Sequence, residues 1–196
     1  LVGDVHGEGL GSWDIALASE ATFSGGRRAP QSRALGELLR TLPGMASESP
    51  DAELITKLQT LASEIERTQF PAPDGFNEAI SFTTLGLQAS SRRAWTPRKE
   101  GSRVLAIAPF VNRTGLDALA AITNGNRTLV SRQESLDALS EDALSAWSEI
   151  YVLSETATDE ATDETADRPS GLHAKMIAIE HGWDVSWYVG SANLTA

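Results

Sequence analysis

The chain has 196 residues and no cysteine, with 41% apolar and 22% charged positions. This describes one ordinary domain, or one domain plus an appendage, and it excludes a disulfide framework, cysteine zinc sites and thiol catalysis. The net charge of −11 argues against a protein that coats nucleic acid by bulk charge, and no apolar run approaches a membrane span.

Residues 1–11 are Gly-rich, and 13–18 alternate weakly, as a short strand does. Gly25, Gly26, Arg27 and Arg28 mark a loop. Pro30 opens a periodic stretch of Ala34, Leu35, Leu38, Leu39 and Leu42, so a helix is predicted that stops at Pro43 and Gly44. A second helix is predicted with Ser49 as its cap, Pro50 at its first position and Asp51 and Glu53 at its positive end. Leu54, Leu58, Leu61 and Ile65 form its expected apolar face, and it should stop before Phe70 and Pro71. Residues 79–84 read as a strand. The basic stretch 90–101, with Arg92, Arg93, Arg98 and Lys99, reads as a solvated loop or, alternatively, a phosphate-facing edge.

From residue 103 the pattern changes. Residues 104–108 are a continuous apolar run, as in a strand buried on both faces. A helix with Leu116, Leu119, Ala120 and Ile122 follows, then a strand at 127–131, a helical stretch at 136–147 broken near Ser140, and a strand at 149–153. Strands alternating with helices predict parallel βαβ units. Residues 154–170 carry Glu155, Asp159, Glu160, Asp163, Glu164 and Asp167 against Arg168, an expected exposed, disordered acidic insertion. Residues 172–179 and 185–189 then read as a hairpin turning at His181 and Gly182. Trp183 and Trp187 share a parity and read as sheet-face packing rather than base stacking. The fold class is therefore α/β, a mixed or parallel sheet flanked by helices. The organisation expected is a helical and strand portion over 1–100, packed on or part of the same domain, and an α/β core over 101–196.

The chemistry concentrates near the end of the chain. His173 and Lys175 lie two apart, and Gly190, Ser191 and Asn193 follow the next strand. On a strand, His173 and Lys175 point to one face. An imidazole can act as nucleophile or general acid, Lys and Asn can neutralise and orient phosphate oxygens, and Gly190 would let the backbone approach an anion. Backbone amides at 191–193 could join them if a helix starts there. The bland reading of His173 and Lys175 is a half-buried His and an exposed Lys on an ordinary strand.

His173-x-Lys175 followed by Gly190-Ser191-x-Asn193 resembles the HxK…GSxN signature of the phospholipase D superfamily, over roughly residues 103–196, and most resembles its nuclease-like bacterial members in DNA-processing, restriction or defence systems. The resemblance implies a phospholipase D-like fold and a metal-independent phosphodiesterase with a phosphohistidine intermediate and no cofactor. It implies His173 as nucleophile or acid, Lys175 and Asn193 as phosphate ligands supported by Ser191 and Gly190, and a second motif facing the first. That motif would come from a missing C-terminal half or a homodimer mate. The chain begins at Leu1 and stops just past the motif, so a piece of a longer protein is expected. Glu180 stands where the family usually has Asp and is implied as a catalytic carboxylate that can still orient a His, though its extra methylene changes its reach; Asp184 is an alternative carboxylate, and the stretch to Gly190 implies a longer hairpin. DNA or RNA is the expected partner and the cytoplasm the expected location. A lipid substrate is disfavoured, because no basic amphipathic helix would drive an acidic chain to a membrane. The alternative reading is a degenerate nucleic-acid-binding or assembly module.

Gly3-Asp4-Val5-His6-Gly7 also copies the opening metal motif of calcineurin-like metallophosphatases. That chemistry needs further Asp, Asn and His ligands. The only other histidines are His173 and His181, so the match reads as coincidence and no metal site is expected.

Overall fold

The computed structural model describes residues 2–3, 12–13, 15–21, 23, 25–85, 87, 97, 100–153 and 171–195. The chain divides into two compact units. One comprises Leu1 with Ala18–Arg92, the other Val2–Leu17 with Arg93–Ala196. Residues 2–17 thus belong with the sheet unit. Asp4, His6, the basic cluster at 92–99 and the acidic stretch 154–170 lie outside the described residues.

In the first unit a 3-10 turn, Pro30–Ser32, leads into α1, Arg33–Met45, and α2, Ala52–Ile65, packs against it. α1 does not stop at Pro43. The proline sits in the last turn, where its fixed φ is already helical and one ladder bond is lost. The cap of α2 is Asp51, two residues beyond the expected Ser49: Oδ1 accepts from Leu54 N at 2.7 Å. The inward face of α2 is also rotated from the expected one. Ala62 is buried and Ile55, Leu58 and Ile65 are half-buried, whereas Leu54 and Leu61 are exposed. Residues 79–84 form no strand; Phe82 instead donates its N–H to Gln31 O at 3.1 Å and meets Phe70 edge-on with centroids 5.1 Å apart.

Glu66, at the C-terminal end of α2, is buried. Its carboxylate accepts from Arg40 and lies 3.8 Å from Arg28 Nε. The bond from Arg40 holds the Glu66 carboxyl below its ordinary value of 4.5, against the opposing effect of burial. A depressed folded pKa contributes stability above the ordinary glutamate range and loses it as the pH falls through the folded value. Glu66→Gln should therefore destabilise this unit by about 1–2 kcal/mol at neutral pH, discounted because Arg40 is partly exposed. In urea unfolding the gap to wild type should persist at neutral pH and close as the pH falls below the ordinary glutamate range, through the lowered folded value. A gap unchanged with pH would sink the assignment.

The second unit is built on a five-stranded sheet. Its strands are β4 Arg103–Ile107, β5 Arg127–Ser131, β6 Glu149–Val152, β8 Met176–His181 and β9 Asp184–Val189, in the order β6-β5-β4-β8-β9. β6, β5 and β4 are parallel, as the alternation of strands and helices predicts, and the β8–β9 hairpin adds antiparallel to β4. Two further two-stranded pairs are separate from it: β1 Val2–Gly3 with β3 Ala16–Leu17, antiparallel, and β2 Ser12–Trp13 with β7 Gly171–Leu172, parallel. The crossovers are α3 Arg113–Ala121, then α4 Gln133–Asp137 and α5 Glu141–Leu144; Ser140 separates the last two and caps α5.

The helices cover one face of the sheet. Val104, Ala106, Leu129, Ile177 and Ile179 pack with Leu116, Leu119, Leu136 and Trp147. The register places Leu105, Ile107, Val130, Tyr151, Met176, Ala178, Val185, Trp187 and Val189 on the other face. Trp187 thus lies on the sheet face as expected, and Trp183 is fully exposed at the hairpin tip. The hairpin loop is Gly182-Trp183 rather than His181-Gly182, and Gly182 takes φ +67°, a conformation glycine adopts without strain. His181 is therefore the last residue of β8, half-buried, with Nδ1 2.6 Å from Glu100 O. Among the described residues no helix is long and apolar enough to cross a membrane.

Candidate functional site

In open α/β sheets, ligands bind outside the carboxyl ends of the parallel strands. Here β4 ends at Ile107, opposite Met176 at the start of β8, and Met176 in turn faces Val189 at the end of β9. Residues 173–175 and 190–193 therefore both emerge at the carboxyl end of β4. Gly190 N donates to Lys175 O at 3.3 Å, joining the two halves of the motif through the backbone.

Residues 173–175 are not part of β8, whose ladder begins at Met176. The alternation nevertheless persists: Leu172, Ala174 and Met176 are buried, His173 is exposed and Lys175 is half-buried. Yet the strand on which a common face is expected begins only after Lys175. Lys175 Nζ donates to the carbonyl of His173 at 2.6 Å.

No helix starts after β9. The segment 190–193 is bent, and Leu194 forms a parallel bridge with Val111. Leu194 N donates to Phe110 O at 3.2 Å and Leu194 O accepts from Asn112 N at 2.9 Å, so the segment is laced to the start of α3. Asn112 also caps α3, its Oδ1 accepting from Gly115 N at 2.9 Å. Ser191 is exposed. Asn193 is half-buried, and its Oδ1 is buried with no hydrogen-bond partner. A buried acceptor left unpaired costs stability; a phosphate oxygen could be met only by the amide nitrogen of the same side chain.

Glu180 is the residue that the structure separates from the others. It is five residues along β8 from Lys175, about 16 Å at the rise of a strand. Its Oε2 accepts from Arg103 Nε at 2.8 Å and its Oε1 from Ser102 Oγ at 3.1 Å. Those bonds, led by Arg103, hold its carboxyl below the ordinary glutamate value. Asp184 pairs with His181 at the same far end. Neither carboxylate orients an imidazole at residue 173. Glu180 instead fastens the turn end of the hairpin to Arg103 and Ser102.

Two side chains that the motif does not contain border the site. Phe110 follows β4, and Arg132 follows β5 with its guanidinium carbon 5.3 Å from the Phe110 ring centroid. Arg132 Nε donates to Leu172 O at 2.8 Å. Their signal in the sequence is positional: each stands just past the carboxyl end of a parallel strand. No cluster of three metal-ligating side chains occurs among the described residues. Two concavities of about 440 and 400 Å³ lie on the helical unit, around Gln59 and Ser63, and bring no catalytic group together. Comparison of the chain with protein-family models, curated proteins and solved structures finds no match.

Proposed function

We propose that the chain carries one half of a phospholipase D-type phosphodiesterase site and acts on nucleic acid without a divalent metal. The observation that supports this is convergence: residues 173–175 and 190–193 meet at the carboxyl end of β4, joined by the bond from Gly190 N to Lys175 O. In this reading a His173 ring nitrogen attacks phosphorus and the P–O bond to the leaving group breaks. A second imidazole, from the facing motif, protonates the departing oxygen. Water then cleaves the P–N bond and regenerates His173. Lys175 neutralises charge as it builds on the nonbridging oxygens, the Asn193 amide N–H donates to one of them, and Ser191 supports the same phosphate. The facing motif is supplied by further polypeptide or by a second copy of the chain.

The test is hydrolysis of single- and double-stranded DNA and RNA in excess EDTA, with acid quenching to trap a phosphorylated histidine. Turnover in EDTA with an acid-labile phosphoprotein supports the reading. A non-catalytic binding module is the second reading, favoured by the commitment of Glu180 to Arg103 away from the motif. Binding without turnover in the same experiment would favour that module.

A further inference from the structure

Phe110 is 50% exposed although its neighbours Pro109 and Val111 are buried. A large apolar ring held half in water beside polar side chains serves no core. It is also fixed in place. The Phe110 carbonyl accepts from Leu194 N, the residue after Asn193, and Arg132, whose guanidinium stands over the ring, is bonded to Leu172 O, the residue before His173. Each member of the pair is thus tied to one half of the HxK…GSxN constellation. The cation polarises and braces the ring, while about half of the residue's surface meets solvent.

We propose that Phe110, backed by Arg132, is a nucleobase-stacking platform that makes single-stranded nucleic acid the ligand of the adjoining phosphate site. This rests on the reading of Lys175 and Asn193 as phosphate ligands. In a duplex both faces of every base are covered by neighbours, so an aromatic ring at the rim gains contact only with an unstacked base. Such stacking tolerates any base, because each presents a π-face.

The experiment measures binding of two short single strands of equal length and charge, an oligothymidylate and an abasic strand, in EDTA. The protein carries His173→Ala so that the strands are not consumed. Adding Phe110→Ala should weaken the oligothymidylate complex about tenfold and leave the abasic complex unchanged. Phe110→Trp should preserve or tighten the former and guards against a folding defect, which thermal melting checks. Lys175→Ala should weaken both strands alike. Equal losses on both strands with Phe110→Ala, or none on either, would overturn the platform while a Lys175 effect left the phosphate site standing. Absence of binding to both strands would overturn the nucleic-acid reading and the platform with it.

Discussion

His173→Ala should lower phosphodiester hydrolysis in excess EDTA by at least about a thousandfold, because it removes the group assigned to attack phosphorus. His173 is exposed, so its removal costs the fold little and the melting temperature should stay near wild type. Lys175→Ala should cost about a hundredfold or more, the usual scale for deleting one group that stabilises developing charge. Glu180→Gln separates the resemblance from the geometry. If that carboxylate oriented the imidazole, its loss would cripple turnover. Fastened instead to Arg103 and Ser102 at the far end of β8, it should leave turnover within about twofold of wild type. A profile in which His173→Ala retains activity and EDTA abolishes it would remove the histidine-nucleophile mechanism and return attention to Asp4 and His6.

Gly115→Ala should be the most damaging single-methyl change at the site. A Cβ there would lie 2.2 Å from Leu194 O and 2.7 Å from its carbonyl carbon. Those are backbone atoms held by Asn112 N, so they cannot turn aside as a flexible side chain would. Overpacking of this kind costs about 3 kcal/mol. The melting temperature of a chain this size should fall by roughly 6–12 °C. Relief requires Leu194 to lift from α3, which carries Asn193 with it, so activity should drop even well below the new melting point. Gly190→Ala is the companion: a Cβ there meets nothing within 4 Å, and its stability should change by less than about 0.5 kcal/mol. Equal melting curves for Gly115→Ala and wild type would show that the strap is not seated as described.

The parallel strands were legible from short apolar stretches alternating with helical ones, but the run at 104–108 is not buried on both faces: helices cover one, and Leu105 and Ile107 on the other are only half-buried. The helix boundaries were less legible. Ser49 and Asp51 are both good caps, and choosing between them depends on which register buries Ala62 against α1. The stretch 79–84 has the alternation of a strand but no partner to pair with, and a strand exists only as half of a ladder. At the site, the spacing of His173 and Lys175 reads as strand, but the ladder starts only at Met176. The separation of Glu180 was missed: the family pattern makes it a carboxylate able to orient the imidazole, yet it stands five residues, about 16 Å at the rise of a strand, beyond Lys175. Phe110 and Arg132 were not legible, since nothing in their local pattern says that two separate strand ends place a guanidinium over a phenyl ring.

The bridge between Val111 and Leu194 also sets an order of assembly. Its two sides are separated by about eighty residues of chain, whereas β4, α3 and β5 are neighbours in sequence. Local partners meet early, and contacts that close long loops come late. The βαβ scaffold can therefore form during synthesis, with the notch above Gly115 vacant until Leu194 arrives. The rim bearing Phe110 and Asn193 is then a clasp, the last part of the domain to shut and the first to spring open under force or heat.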